Sequence, residues 1–208
     1  MTYLALGDSY TIGEGVPEAG RWPIQLAATL RNEGIALADP RIIAATGWAT
    51  DELAAKIDAA APLGQFDFVS LLIGVNNQYR GGDVAGYRDQ FSALLERAIA
   101  CTDGRAERVL VLSIPDWGVT PFAAAQYGRQ RGRDAGKIAS ELDAYNAAAQ
   151  AVCAQHGVAF VDITAVSRKR GAEAEMLAGD GLHPSAAMYA QWTALALPVA
   201  RKLLTSGR

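Results

Sequence analysis

The sequence predicts an α/β domain built on a parallel sheet. Five short apolar runs recur along the chain, longer segments of helical periodicity separate them, and small or polar residues follow each run directly. Residues 3–6 form the first expected strand, ending at Gly7, and a Gly-rich loop with Gly13 and Gly15 follows. A helix is expected over 22–32, with Pro23 in its first turn, where the missing N–H costs nothing. Residues 41–45 read as a second strand closed by Thr46 and Gly47, and 51–61 as an alanine-rich helix stopped by Pro62. The run FDFVSLLI (66–73), ending at Gly74, is apolar almost throughout, as expected of a strand covered on both faces. In 83–101, Tyr87, Phe91, Leu94, Leu95 and Ala98 recur at helical spacing. A fourth strand (109–114) leads into a stretch expected to be irregular from Pro115 to about Gly132. A helix over 138–156 ends at Gly157, the last strand covers 158–163, and Ser185 caps a closing helix to about Leu204, with Pro198 as a candidate kink. Right-handed connections between such strands put helices on both faces of the sheet.

Composition narrows the function. The chain has 208 residues, 50% hydrophobic and 20% charged, with no polar linker, so one domain over 1–208 is expected. A net charge of −3 gives no electrostatic reason to expect nucleic acid or an anionic membrane as partner. Two basic stretches, Arg129, Arg131 and Arg133 with Lys137, and Arg168-Lys169-Arg170, read as solvated loop and helix-end charge. Cys101 and Cys153 fall in helical segments outside any C-x-x-C pattern, so they read as small buried hydrophobes, without disulfide or zinc site. The first residues read as a core strand rather than a signal peptide, and no run is long enough to span a bilayer. Taken as a native start, this implies a cytoplasmic protein.

In open parallel sheets, ligands sit beyond the carboxyl ends of the strands. There the sequence places Asp8-Ser9-Tyr10, Gly47-Trp48, Gly74-Val75-Asn76-Asn77, Pro115-Asp116-Trp117 and a loop containing Asp180-Gly181-Leu182-His183-Pro184. Only two histidines are present. His156, at a helix end before Gly157, suits a cation near the negative pole of the helix dipole. His183 lies in a loop three residues after Asp180 and is the candidate base. Asp8, at a strand-to-helix turn, is assigned to accepting backbone N–H bonds.

Four blocks together, Gly7-Asp8-Ser9-Tyr10, the isolated Gly47, Gly74-x-Asn76 and Asp180-x-x-His183-Pro184, resemble those of the SGNH/GDSL hydrolases, in the family's order and over nearly the whole chain. The resemblance implies a three-layer α/β/α sandwich of flavodoxin-like shape, with a five-stranded parallel sheet of order 2-1-3-4-5. It implies Ser9 as nucleophile, His183 as general base and Asp180 as the carboxylate orienting it. The backbone N–H groups of Ser9 and Gly47 and the Asn76 amide would form the oxyanion hole. Two positions depart from the pattern: Tyr10 stands for the leucine of the motif, and Asn77 for the usual aspartate of the third block.

The chemistry suits these residue types. A serine hydroxyl needs a base to attack near neutral pH, and an imidazole titrates in that range. A carboxylate beside it fixes the tautomer and stabilises the imidazolium. Donors aimed at the developing oxyanion are worth about 3–4 kcal/mol each. Trp48, Tyr79, Trp117 and Phe122 follow strand ends and are candidate pocket residues. The expected reaction is hydrolysis of a small carboxylic ester, without cofactor or metal. An acyltransferase using the same groups with an alcohol or sugar acceptor is the alternative. A flavodoxin-like nucleotide-binding module is disfavoured, because Gly13 and Gly15 do not complete G-x-G-x-x-G and no G-K-[ST] follows. A metal hydrolase is disfavoured too, since Asp180 and His183 have no third histidine or clustered carboxylates beside them.

Overall fold

The computed structural model describes residues 1–126 and 134–205. Its strands are β1 (Tyr3–Gly7), β2 (Arg41–Ala44), β3 (Phe68–Leu72), β4 (Val109–Leu112) and β5 (Ala159–Val161). They form one sheet in the order β2-β1-β3-β4-β5, with every neighbouring pair parallel. The central strands are fully buried, as their unbroken apolar sequences require when helices cover both faces.

The longer helices are α2 (Trp22–Asn32), α3 (Thr50–Ala59), α5 (Val84–Ala100), α7 (Ala135–His156) and α9 (Ala186–Thr205). The chain leaves β1 toward β2 and then reverses, passing β1 to reach β3. With right-handed crossovers, that reversal puts α2 on one face and α3, α5 and α7 on the other. Packing agrees: α2 lies against α9, whereas α5 lies against both α3 and α7. Trp22, Leu26 and Leu30 of α2 and Tyr189, Trp192 and Ala196 of α9 are all buried. α9 continues through Pro198. His156 ends α7 one residue before Gly157, whose φ of +69° is the left-handed C-cap conformation.

Shorter helices depart from the expectation. α1 (Ser9–Ile12), α4 (Val75–Tyr79) and α8 (Thr164–Arg170) follow β1, β3 and β5 directly. The stretch expected to be irregular after β4 contains a 3-10 turn at Trp117–Val119 and α6 (Pro121–Gln126). The Thr120 hydroxyl accepts from the N–H of Ala123, and Pro121 needs no acceptor, so this start is capped on both counts. β5 is shorter than expected because Ser113 takes over beyond it: its Oγ accepts from the N–H of Ile163 and of Thr164. Arg168 of the second basic stretch pairs with Asp116 and Asp143, and Arg170 with Glu173 and Glu175. Arg129, Arg131 and Arg133 lie outside the described residues. Cys153 is buried in α7, which pushes its thiol up to about 12, and Cys101 caps α5; both are free.

The register decides where the site forms. Gly7, the last residue of β1, is level with Ala44 of β2 and with Leu72 of β3. A Cβ on Gly7 would collide with the Thr11 hydroxyl and with the Leu72 carbonyl oxygen. Gly7→Ala is therefore expected to lower unfolding stability by about 1–3 kcal/mol in urea titration. Gly179→Ala, where a Cβ meets open space, serves as control and should change it far less. Equal effects would mean that strand approach does not dictate glycine at position 7.

Candidate active site

Three of the candidate residues are delivered by the ends of adjacent strands. Ser9 opens α1, whose N-cap is Asp8; the Asp8 Oδ1 accepts from the Tyr10 N–H at 3.0 Å. Asp8 is fully buried and its Oδ2 has no hydrogen-bond partner among the described residues. Burial, only partly offset by backbone hydrogen bonds, pushes its carboxyl up to about 7. Its expected role at the strand-to-helix turn is the one the hydrogen bonding displays.

Gly47 follows β2 with φ of +87°, a conformation that favours glycine. Asn76 lies in the first turn of α4 and donates from Nδ2 to the Trp48 carbonyl at 2.9 Å. An amide carries two N–H bonds, so this contact orients Asn76 and leaves one for a ligand. Asn77 turns the other way: its Oδ1 accepts from the Thr50 N–H at 3.1 Å and its Nδ2 donates to the Thr50 hydroxyl at 2.7 Å. The amide thus ties α4 to the start of α3, with a donor that a carboxylate lacks. Among the described residues no protein acceptor takes the N–H of Ser9 or of Gly47.

Asp180 and His183 form a local unit. Asp180 Oδ1 accepts from the N–H groups of Leu182 and His183, both at 2.9 Å, and Oδ2 lies 2.6 Å from the His183 Nδ1. A spacing of three residues lets one carboxylate close the turn and hold the ring together. The loop is pinned from outside: the Ala178 N–H donates to the His183 carbonyl at 2.7 Å, and the Phe122 N–H to the Gly181 carbonyl at 3.2 Å. Tyr10 packs edge-on against the His183 ring, with centroids 5.8 Å apart, and against Trp192. The tyrosine that replaces the motif's leucine thus seats the imidazole. Partial burial pushes the Asp180 carboxyl up. The hydrogen bonds from the His183 ring and from the two backbone N–H groups outweigh it, leaving the carboxyl below the usual carboxylate range.

Ser9, Gly47, Asn76 and His183 open on one cavity of about 210 Å³. No hydrogen bond joins the Ser9 hydroxyl to the His183 ring among the described residues; the two side chains share the cavity wall, and the ring's bond is to Asp180. Tyr79, Trp117 and Phe122 line the cavity as expected from their positions. Trp117 is fixed by a bond from its indole N–H to Gln78 Oε1 at 2.9 Å and by edge contact with Tyr79. Trp48 is a correction: its side chain packs against the hydrophobic core instead of lining the cavity, and only its carbonyl serves the site. Tyr10, Thr46, Val75 and Leu182 also line the cavity. Each neighbours a motif residue, and that adjacency was the available signal. Among the described residues no group of three or more His, Cys, Asp or Glu is placed to hold a metal ion. No helix there is long and apolar enough to cross a membrane.

A family model described as GDSL-like lipase/acylhydrolase matches residues 5–191. The chain belongs to this family. As a GDSL-family chain it is an esterase or lipase, a carboxylic ester hydrolase. No curated protein sequence matches it. Among solved structures it is similar to TesA, at 22% identity and TM-score 0.71 over 98% of this chain and 100% of that one. It is also similar to the lipase/acylhydrolase from Enterococcus faecalis, at 19% identity and TM-score 0.70 over the whole of both chains. Phospholipase A1 from Streptomyces albidoflavus NA297 is similar at 20% identity and TM-score 0.63, over 95% and 97%. At these identities the likeness carries the fold.

The two carboxylates of this GDSL-family site act on stability with opposite sign. Asp180 is held low, so its contribution is present above the unfolded carboxylate value and is lost as pH falls through the folded one. Asp8 is held high, so its contribution is present at acid pH and is lost as pH rises to about 7. Asp8→Asn is therefore expected to flatten the decline of unfolding stability between about pH 4 and 7. Asp180→Asn should soften the fall below about pH 4. Denaturation series at several pH values check both; unchanged slopes would remove the corresponding group.

Proposed function

We propose that this GDSL-family chain hydrolyses small, neutral carboxylic esters through an acyl intermediate on Ser9. With the His183 Nδ1–H donated to Asp180, Nε2 is left to accept the Ser9 proton as the hydroxyl attacks the ester carbonyl. The tetrahedral oxyanion takes the N–H groups of Ser9 and Gly47 and the second amide hydrogen of Asn76. Collapse expels the alcohol, which takes the proton from the imidazolium. Water then attacks the acyl group with His183 again as base, releasing the acid and restoring the Ser9 hydroxyl.

The observation that carries this reading is the pair of backbone N–H groups, at Ser9 and Gly47, that no acceptor among the described residues claims, on the cavity that also holds Asn76 and His183. Unpaired backbone donors at the rim of a folded site are costly unless a ligand uses them. The substrate class follows from the walls. Among the described residues, no titratable side chain other than His183, Tyr10 and Tyr79 lines the cavity, and Val75, Trp117, Phe122 and Leu182 make it apolar. Its volume of about 210 Å³ falls below the roughly 300–1,000 Å³ of most ligand pockets, which favours short acyl groups.

Ser9→Ala is expected to cut turnover of p-nitrophenyl acetate by at least about 10³-fold while the melting curve is kept. Substantial retained turnover would take Ser9 out of the reaction. His183→Ala is expected to lose turnover by a factor comparable to Ser9→Ala, and substantial retained turnover in that variant would remove His183 as the base. Across acyl chain lengths, kcat/KM for acetate or butyrate esters should exceed that for laurate by about tenfold or more. A preference for laurate would contradict the small-substrate assignment.

A further inference from the structure

We infer that Arg80 is a positioning residue that sets the Gly47 oxyanion donor against the Asn76 donor; the inference rests on the serine-esterase reading above. The Gly47 loop is held by polar ties. Space beside Gly47 is open: among the described residues no heavy atom beyond its two chain neighbours lies within 4 Å of where a Cβ would stand, so side-chain packing on that flank does not fix it. Three residues of one short stretch of chain, Asn76 to Arg80, supply ties to it. The Arg80 guanidinium donates from Nη2 to the Gly47 carbonyl at 2.6 Å, Asn76 donates to the Trp48 carbonyl at 2.9 Å, and Asn77 accepts from the Thr50 N–H at 3.1 Å.

Arg80 also reaches Glu52 with its other terminal nitrogen, at 2.9 Å, and the same Glu52 oxygen accepts from the Ala49 N–H at 2.8 Å. The planar fork therefore spans two acceptors on the same segment, one before and one after Trp48, and closes a ring of contacts around residues 47–52. A lysine ammonium, a single point of charge, lacks that geometry. The side chains of Arg80 and Glu52 are 50% and 42% exposed, so the ion pair itself adds little to stability. What it fixes is position. The Arg80 N–H donates to the Asn76 carbonyl at 3.0 Å, so the guanidinium and the Asn76 amide ride on one helical turn. Any slip of the Gly47 loop on that turn changes the separation of the two donors that the oxyanion would meet.

The test compares Arg80→Met, Arg80→Lys and Glu52→Gln with wild type, reading kcat, KM, melting temperature and the affinity of butylboronic acid, which forms a tetrahedral adduct on an active serine. Arg80→Met is expected to lose about 10–100-fold in kcat, with KM within about threefold, because a displaced donor forfeits part of what its removal would cost. Boronate affinity should fall by a similar factor, and the melting temperature should hold. Arg80→Lys should recover little, and Glu52→Gln should fall between the two. Wild-type kcat and boronate affinity in Arg80→Met, or a kcat loss that tracks melting temperature with boronate affinity unchanged, would overturn the inference. Should Arg80→Met not fold, Arg80→Lys and Glu52→Gln are judged by the same criteria. Ser9→Ala run in parallel separates the two levels. Activity in that variant defeats the serine reading itself, whereas its inactivity beside a normal Arg80→Met defeats only the role of Arg80.

Discussion

The pairing of β1 between β2 and β3 is the constraint on which the rest of the site depends. Gly7 ends β1 level with Ala44 on one side and Leu72 on the other, so three strands finish at one height. The residues that follow them, Ser9, Gly47 and Asn76, then have only a few bonds of chain in which to diverge. Strand order does the assembling: the chain winds outward from β1 to β2, returns past it to β3, and leaves the crevice at that switch point. Glycine at position 7 permits the approach of β3 and α1 that the register demands.

The Asp180–His183 unit is built by a different device. Its geometry comes from a turn that one carboxylate closes through two backbone N–H groups while holding the ring, so it needs no strand to shape it. It is held at the cavity by ring packing on Tyr10 and by a backbone hydrogen bond from Phe122 of α6 to Gly181. Sheet and loop meet at Tyr10, whose backbone N–H donates to Asp8 Oδ1 and whose ring supports His183. The electrostatics follow the same division. Asp180, half-exposed and rich in donors, is stabilised as an anion, whereas Asp8, sealed under α1, is driven toward its neutral form.

Local signals were legible in the sequence where local physics decides the structure. Helix α2 begins and ends where Pro23 and the apolar spacing place it, and the run that becomes β3 is apolar because both of its faces are covered. Ser9, Gly47, Asn76 and His183 were identified as a set through the family's motif order, and the structure brings all four to one cavity. Features fixed by distant partners were not legible. The end of β5 depends on Ser113, some 50 residues away in sequence, and the grip of Arg80 on Gly47 spans 33. Trp48 misled because a residue next to a motif glycine can turn its ring toward the core and give the site only its carbonyl. The short helices α1, α4 and α8 fall below the length at which periodicity can be read.

Reaction with a fluorophosphonate followed by peptide mass spectrometry tests the central claim most directly. A single stoichiometric adduct on Ser9, formed together with loss of esterase activity and much more slowly in His183→Ala, is the predicted result. Full inactivation with the adduct on another residue, or an unmodified Ser9 in a fully inactivated sample, would contradict the account.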